Sequence, residues 1–235
     1  MHASFPGMDA ANTNDAQAVL ADTFGCNPDI AAAIAVKARL RDYPARAVIV
    51  EGDHAFEHVH VLVDGHARMC AFAIDVRLVA VEDYAKGDLF GETGLFEPEP
   101  AQHDISAVVP SKGAAFANAE FLDLMANYHC VALAVSRRLV ARLSTITRRM
   151  VEGATLSAMR RIHAELLRQA QAGKAMTISP APVLSNFALQ VQSTRETVSR
   201  AINALEKRGI IQRDEHGLRV VAPHRLEELI VPVGI

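Results

Sequence analysis

The spacing of apolar residues predicts helices near the start of the chain. Residues 16–43 have a helical pattern, which includes an alanine-rich run from Ile30 to Leu40. The small residues of 1–15 show no such pattern. We therefore expect a flexible tail over 1–15, followed by a helical segment.

Between Ala47 and Phe96 the apolar residues alternate with a period of two, which predicts strands. Val59, Val61 and Val63 occupy alternate positions, so they fall on one face of a strand. Pairs of glycine and aspartate interrupt the alternation at 52–53, 64–65 and 87–88. Short strands at a spacing of roughly ten residues favour an antiparallel sandwich or barrel.

A long helix is predicted over 128–153. Its apolar residues recur at steps of three and four, namely Ala132, Val135, Leu139, Leu143, Ile146 and Met150. The stripe is narrow and arginines flank it, as in a coiled-coil seam. Packing of the stripe against the strand region is the alternative. We favour a dimer interface formed by Val135, Leu139, Leu143, Ile146 and Met150.

Two short helices joined by a tight turn are predicted after the next helix, which runs from about Leu156 to Ala172. In the first of the two, Leu184, Phe187, Ala188 and Val191 form one apolar face. A turn near 190–192 follows. The second begins after Ser193, which with Glu196 three residues later has the pattern of a capping box. Beyond Gly209, residues 210–221 have the pattern of a β-hairpin.

The charge of this region differs from that of the whole chain. The formal net charge of the 235 residues is −3, so a globally basic nucleic-acid coat is excluded. Residues 190–213 nevertheless carry five basic and two acidic side chains, a balance of +3. A helix pair whose second member presents arginines matches the helix-turn-helix plan. The candidate DNA contacts are Ser193, Thr194, Arg195, Glu196, Ser199 and Arg200.

The roles of these side chains follow from the chemistry of base edges. Arginine bonds guanine bidentately, which suits Arg195 and Arg200. Glu196 has two roles open to it, since it could accept from a cytosine amino group or only cap the helix. The hydroxyls of Ser193 and Thr194 at the helix start suit a phosphate.

Several function classes find no support in the sequence. Cys26, Cys70 and Cys130 are scattered, so we expect neither a disulfide framework nor a metal site. No nucleophile–base pair or phosphate-binding loop indicates an enzyme. We see no signal peptide and no run approaching ~20 apolar residues. The expectation is a cytoplasmic protein without a membrane partner.

Two motifs together resemble the cyclic-AMP receptor / fumarate-nitrate reductase regulator (CRP/FNR) family of bacteria. Residues 194–200, TRETVSR, are similar to the family's recognition helix, and residues 87–96, GDLFGETGLF, are similar to the phosphate-binding cassette of cyclic-nucleotide-binding domains. The resemblance spans roughly Ala45 to Val221. It implies an α+β fold with an N-terminal antiparallel β-roll of the jelly-roll type, a long dimerisation helix and a C-terminal winged helix-turn-helix.

The resemblance also implies a function and a set of effector contacts. A homodimer would bind double-stranded DNA at a palindromic promoter site, with a TGTGA-type half-site as the candidate, and act on RNA polymerase. The family's base-reading Arg, Glu and Arg fall on Arg195, Glu196 and Arg200. The effector contacts that it suggests are Gly91, Glu92, Thr93, Ser106 and Thr147.

One departure concerns the phosphate. Where the family has an Arg-Ser pair for the cyclic phosphate, this chain has Ile105-Ser106. The preceding loop, 97–104, holds three acids and no Lys or Arg. A phosphate beside carboxylates without a cation is unfavourable, so ordinary cyclic-AMP binding is doubtful.

The family's adenine-contacting Thr-Ser pair can be placed in two ways. Counted back from the helix that follows the central one, the pair falls near Ile146-Thr147. Counted forward from Arg137-Arg138, it falls at Arg142-Leu143. The effector therefore stays open between a cyclic nucleotide, a cyclic dinucleotide and none; haem at the strand histidines, such as His58 and His60, is a weaker alternative.

The sequence thus predicts four segments: a tail (1–15), a β-roll sensor domain (16–127), a central dimerisation helix (128–153) and a winged helix-turn-helix domain (154–235). The predicted function is sequence-specific transcription regulation with a degenerate cyclic-AMP phosphate site. An architectural DNA-bending protein without an effector is the alternative. The exposed arginines and glutamate favour specific readout, because Glu196 gains nothing from phosphates.

Overall fold

The computed structural model describes residues 10–72, 78–96, 100, 103–215 and 217–231, with side chains at all of these except 10–13, 72 and 78–81. The chain divides into two compact units, Met1–Arg142 and Leu143–Ile235. Each unit has a hydrophobic core of its own.

Two helices open the first unit, α1 (Ala10–Phe24) and α2 (Pro28–Lys37). Residues 10–15, predicted as tail, are helical, because alanine favours the helix and Ala16, Val19 and Leu20 anchor it in the core. The predicted tail residues 1–9 lie outside the described part of the chain. No single helix among the described residues has the length and apolarity to cross a membrane, although a bent pair, Asn14–Phe24 with Pro28–Lys37, has the composition for it.

The end of the segment predicted to be helical, 38–43, is instead a strand, β1 (Arg39–Tyr43). Helix α2 starts at a local signal, since the Asn27 side chain accepts a hydrogen bond from the Ile30 amide at 2.9 Å. After Lys37 the chain becomes extended because β1 has a partner strand, which outweighs the helical pattern of its residues.

Eight strands of the first unit form two antiparallel four-stranded sheets among the described residues. Those after β1 are β2 (Val48–Val50), β3 (His58–Asp64), β4 (His66–Phe72), β5 (Leu78–Ala85), β6 (Leu89–Phe90), β7 (His103–Ala107) and β8 (Ser111–Ala117). The sheet orders are β1-β8-β3-β6 and β2-β7-β4-β5. The predicted α+β class with antiparallel sheets is confirmed.

The alternation of β3 separates two cores. Val59, Val61 and Val63 pack with α1 and with the helix α3 (Asn118–Asn127), as the single-face prediction required. Leu62 points to the other face and packs with Tyr84, Phe90, Ile105 and neighbouring residues. This second core includes Ile105, which the resemblance places where the family has its phosphate-binding arginine.

The predicted long helix is α4 (His129–Thr155). Four of its stripe residues are exposed in the single chain, namely Leu139, Leu143, Ile146 and Met150. Val135, which we expected in the dimer interface, is 2% exposed and belongs to the core of the first unit. Because it lies one turn before Leu139, where the helix still covers the sheet, Val135 has no surface left for a partner.

The second unit contains the predicted helix pair and hairpin. Its elements are α5 (Ala158–Ala172), β9 (Thr177–Ile178), α6 (Leu184–Gln190), α7 (Arg195–Lys207), β10 (Ile211–Asp214), β11 (Gly217–Val220) and α8 (Pro223–Glu228). The strands form a sheet of order β10-β11-β9. Phe187, Val198 and Ile202 are buried between the helices, as the apolar spacing predicted.

The cap of α7 lies one residue later than predicted. The Thr194 hydroxyl accepts from the Thr197 amide at 3.2 Å, so Thr194 is the N-cap and the expected capping box of Ser193 with Glu196 is not formed. The Ser193 amide donates instead to the Ala188 carbonyl at 2.9 Å and closes the turn. Ser193 therefore belongs to the turn, and the helix begins after Thr194.

Replacement of the two adjacent residues by alanine distinguishes these caps. Thr194→Ala is expected to lower the free energy of unfolding by about 1 kcal/mol, because the Thr197 amide loses its acceptor. Ser193→Ala is the matched control and should change it by less than about 0.5 kcal/mol. Urea unfolding followed by circular dichroism measures both, and a larger loss for Ser193→Ala would contradict the assignment.

Candidate functional site

Helix α7 presents its polar face from a firmly packed base. Val198, Ala201, Ile202 and Leu205 are buried, whereas Arg195, Glu196 and Arg200 are exposed. Arg200 donates to the Thr197 hydroxyl at 3.3 Å. Of the side chains predicted to contact DNA, Ser193 and Thr194 precede the helix, and the other four lie within its first two turns, the part that enters a major groove in helix-turn-helix proteins.

The carboxylate of Glu196 keeps both of the roles that the sequence allowed. Hydrogen bonds from its own backbone amide and from Thr194 lower the pKa of Glu196 below its ordinary value. A carboxylate that remains ionised is an acceptor only, and it suits a cytosine amino group as well as a helix start.

A third arginine near α7 already has partners in this chain. Arg213 on β10 forms an ion pair with Glu206 and donates to the Asn203 amide oxygen at 2.9 Å. Glu206 raises the pKa of the Arg213 guanidinium. These contacts hold the hairpin against α7, so we regard Arg213 as a support of the interface rather than a reader of bases.

The turn between α6 and α7 is held by Arg161 of α5. Its guanidinium donates to the carbonyls of Val191 and Gln192, each at 2.9 Å, and to that of Leu156 at 2.8 Å. Gln192 adopts a positive φ of 50°, which few non-glycine residues do. Arg161 therefore stabilises the backbone of the turn, a role that no pattern in the sequence indicated.

The cassette in the first unit folds as a tight 3-10 turn, Glu92–Leu95, after β6. Gly91 precedes it with a φ of 87°, and a Cβ at this position would lie 2.5 Å from the His58 carbonyl oxygen. Only glycine allows this approach to β3. The close fit places the Glu92 side chain, 2% exposed, in the interior, and Thr93 next to it is half-buried.

The Glu92 carboxylate has a partner on α4. One Glu92 oxygen lies 3.3 Å from a terminal nitrogen of Arg142, whose other terminal nitrogen lies 3.6 Å from Glu82 on β5. Burial lowers the pKa of Arg142, but Glu82, Tyr84 and Glu92 raise it by more, so the net shift is upward. The guanidinium is firmly charged and bridges two carboxylates.

A second arginine of α4 completes this group. Arg138 lies 3.1 Å from Glu82 and 3.9 Å from Asp88, and its guanidinium carbon is 5.5 Å from the centre of the Tyr84 ring. We call Glu82, Asp88, Glu92, Arg138 and Arg142 the arginine–carboxylate cluster. When the family's adenine-contacting pair is counted forward from Arg137-Arg138, it falls at position 142. Of the cluster members, however, only Glu92 was predicted as an effector contact.

One of the predicted effector contacts, Ser106, is not brought to Glu92. Ser106 pairs with Arg68, which in turn pairs with Asp83, so these residues share one face of the sheet. Ile105 pairs with Met69, which pairs with Glu82, on the opposite face. Ile105 therefore points inward and Ser106 outward. Thr147 is exposed on the part of α4 that belongs to the second unit.

The strand histidines, which we weighed for haem, line a separate cavity of about 370 Å³ together with Arg41 and Phe56. His60 stacks on Phe90 at a centroid distance of 5.2 Å. Burial, with smaller contributions from His58 and Arg41, lowers the pKa of His60 to about 4. At neutral pH the ring is uncharged and packs as a core group.

Comparisons with known proteins support the cassette-bearing fold of the first unit and the helix-turn-helix of the second. A cyclic nucleotide-binding domain profile matches residues 40–128, and a Crp-like helix-turn-helix domain profile matches residues 160–229. The chain is 26% identical over 187 residues to the cAMP-activated global transcriptional regulator CRP of Pasteurella multocida, which covers 77% of this chain and 88% of the relative.

Two further matches extend this result. The cAMP-activated global transcriptional regulator Vfr of Pseudomonas aeruginosa is 27% identical over 180 residues, 73% of this chain and 84% of the relative. The structure of FixK2 from Bradyrhizobium japonicum superposes with a TM-score of 0.67 at 20% identity and covers 84% of this chain and 99% of that one. The sequence relatives are transcriptional regulators, not enzymes. With its sensor fold, its cassette and its helix-turn-helix, the chain belongs to the CRP/FNR family of transcription regulators.

Proposed function

We propose that this CRP/FNR-type regulator binds a palindromic promoter site as a homodimer and reads one half-site with each α7. The observation that carries the proposal is the exposed trio Arg195, Glu196 and Arg200 on the first turns of a helix whose other face is buried. Two arginines and a carboxylate can distinguish base edges, whereas binding to phosphates alone would gain nothing from Glu196.

The rigid mounting of α7 supports specific readout. The buried face of α7, the ion pair of Glu206 with Arg213 and the turn held by Arg161 all fix the helix before DNA arrives. Preorganised contacts lose little conformational entropy on binding. A helix fixed in this way suits recognition of one sequence better than loose attachment to any duplex.

For the sensor unit, we propose that the cyclic-AMP phosphate site is degenerate. Ile105 is buried in an apolar core where the family has its arginine, and Ser106 faces the other side of the sheet. The relatives CRP and Vfr are named as cAMP-activated, but we do not extend this dependence on cyclic AMP to the present chain. The effector is a cyclic nucleotide or cyclic dinucleotide held in another way, or none.

The location and the partners follow from this function. A regulator that acts at promoters works in the cytoplasm, where the bacterial chromosome is, and its effect on transcription passes through RNA polymerase. These assignments extend the DNA-binding role that the Crp-like helix-turn-helix supports.

Replacement of Arg195 by alanine tests the specific readout. At one fixed salt concentration, fluorescence anisotropy with a TGTGA-type palindrome should show an affinity loss of about 5- to 150-fold, the equivalent of about 1–3 kcal/mol for one lost bidentate contact. Binding to a scrambled duplex should change by much less. An equal loss on both duplexes would favour the architectural, non-specific alternative.

The control for this experiment removes the same charge elsewhere. Arg39 is exposed on β1 of the first unit, so Arg39→Ala changes the net charge equally without touching α7. It should leave the affinity for both duplexes within about twofold. A loss as large as that of Arg195→Ala would show that long-range charge, rather than base readout, governs binding.

The exposed stripe of α4 gives a separate test of the dimer. Leu143→Glu should convert the dimer to monomer in sedimentation equilibrium, since the 64% exposed Leu143 would place two carboxylates in an apolar seam. Val36→Glu is the control, because Val36 is also exposed but lies on α2. An unchanged dimer in the Leu143 variant would exclude this part of α4 as the interface.

A further inference from the structure

The arginine–carboxylate cluster occupies the side of the β-roll where the cassette would meet an effector. Glu92 comes from the cassette itself, Glu82 from the neighbouring strand β5, and both arginines come from α4. According to the family resemblance, the cassette glutamate binds the ribose of a cyclic nucleotide. In this chain Arg142 lies at 3.3 Å from that carboxylate.

Both terminal nitrogens of Arg142 face carboxylates of the protein. One terminal nitrogen faces Glu92 and the other faces Glu82. Tyr84 adds a further contact, since its hydroxyl donates to the same Glu82 oxygen at 3.4 Å. A ligand that displaced Arg142 from the Glu92 oxygen Oε1 would have to break an ion pair that is already largely removed from water, whereas the other Glu92 oxygen, Oε2, is buried without a hydrogen-bond partner.

The charge balance of the cluster also opposes a phosphate. Three carboxylates, Glu82, Asp88 and Glu92, face two guanidinium groups, which leaves a formal balance of −1. A cyclic nucleotide adds another negative charge. Ile105 stands at the position of the family's phosphate-binding arginine, so a phosphate would depend on the cluster arginines. Both of these arginines already have carboxylate partners. Binding of a phosphate would therefore bury excess negative charge.

The cluster also fixes the rotation of α4. Arg138 and Arg142 are four residues apart and lie on one face of the helix, next to the sheet. Leu139 and Leu143 each follow one of these arginines by about 100° around the helix axis, and both are exposed. Ion pairs that hold the arginines against the β-roll therefore determine which face of α4 is presented to a second copy of the chain.

We infer that Arg142 occupies the effector site itself and holds the first half of α4 against the β-roll, so that DNA binding needs no small ligand. This inference rests on the proposed function and names the regulation of its sensor site. The regulator is then constitutive with respect to cyclic nucleotides. Residue 142 is the specificity-determining position, because Arg142 takes one oxygen of the cassette glutamate that a ribose would need and places its guanidinium beside it.

The first test uses the full-length wild-type protein, so it does not depend on how any variant folds. Its affinity for the TGTGA-type palindrome is measured at fixed salt without ligand, with cyclic AMP and with cyclic di-GMP. We expect specific binding that changes less than twofold with either nucleotide. A tenfold or larger increase with either one would overturn the inference, because Arg142 would then have to yield to the ligand or bind its phosphate. Absence of any specific binding under all three conditions would instead refute the proposed function.

The second test removes the internal contact. Arg142→Met keeps the length and loses the charge, and we expect a tenfold or larger loss of DNA affinity with unchanged secondary structure. Arg137→Met is the matched control, because Arg137 is exposed five residues earlier on the same helix, and it should bind DNA like the wild type. An Arg142→Met protein with wild-type affinity would overturn the inference.

A double variant separates a specific ion pair from general damage to the fold. Glu92→Gln alone should also weaken DNA binding, because Arg142 is left facing Glu82 only. Arg142→Met combined with Glu92→Gln should lose clearly less than the product of the two single losses, since it leaves neither charge of the pair uncompensated. Losses that multiply independently would show that the Glu92–Arg142 contact does not control DNA binding.

Discussion

The first unit is organised around the burial of one carboxylate. Glu92 is 2% exposed, and an ionised group in the interior needs an opposite charge. The cassette cannot move away to relieve it, because Gly91 and Gly94 bring its backbone against His58 and Phe56 too closely for any side chain. Helix α4 therefore has to supply the cation, and removal of one partner of such a buried pair typically costs about 3–5 kcal/mol.

The second unit depends in a similar way on a single guanidinium. Arg161 satisfies carbonyls at the end of α6, in the following turn and after α4, groups that have no partner inside a helix. A second chain of contacts runs beside it, in which Arg168 joins Glu152 of α4 to Glu165 of α5. Through Arg161, the turn before α7 is hydrogen-bonded to Leu156, which directly follows α4. A displacement of this end of α4 would therefore displace the recognition helix as well.

The sequence was sufficient where one local signal decides the structure. The valine face of β3, the apolar face of α6 and the length of α4 all follow from the spacing of apolar residues, and these predictions are confirmed. It failed at Arg39–Tyr43, where pairing with β8 outweighs the helical pattern, and at Ser193, which belongs to the turn before the N-cap residue Thr194. It also missed Arg138 and Arg142 as partners of the cassette. Their ion pairs join residues about 50 positions apart, and no spacing rule covers such a distance.

The isoleucine at position 105 and the arginine at position 142 are best understood together, because both determine the charge that surrounds the cassette. With isoleucine at position 105, β7 supplies no cation there for Glu92, and the acidic Glu82 on β5 adds a second negative charge. An arginine at 142 compensates both carboxylates at once, and Arg138 compensates Glu82 and Asp88. The positive charge that a nucleotide phosphate would have met on the sheet is thereby provided on the helix, where it faces protein carboxylates. In the regulation that we infer, these side chains provide the order that, by the family pattern, a ligand provides in the relatives.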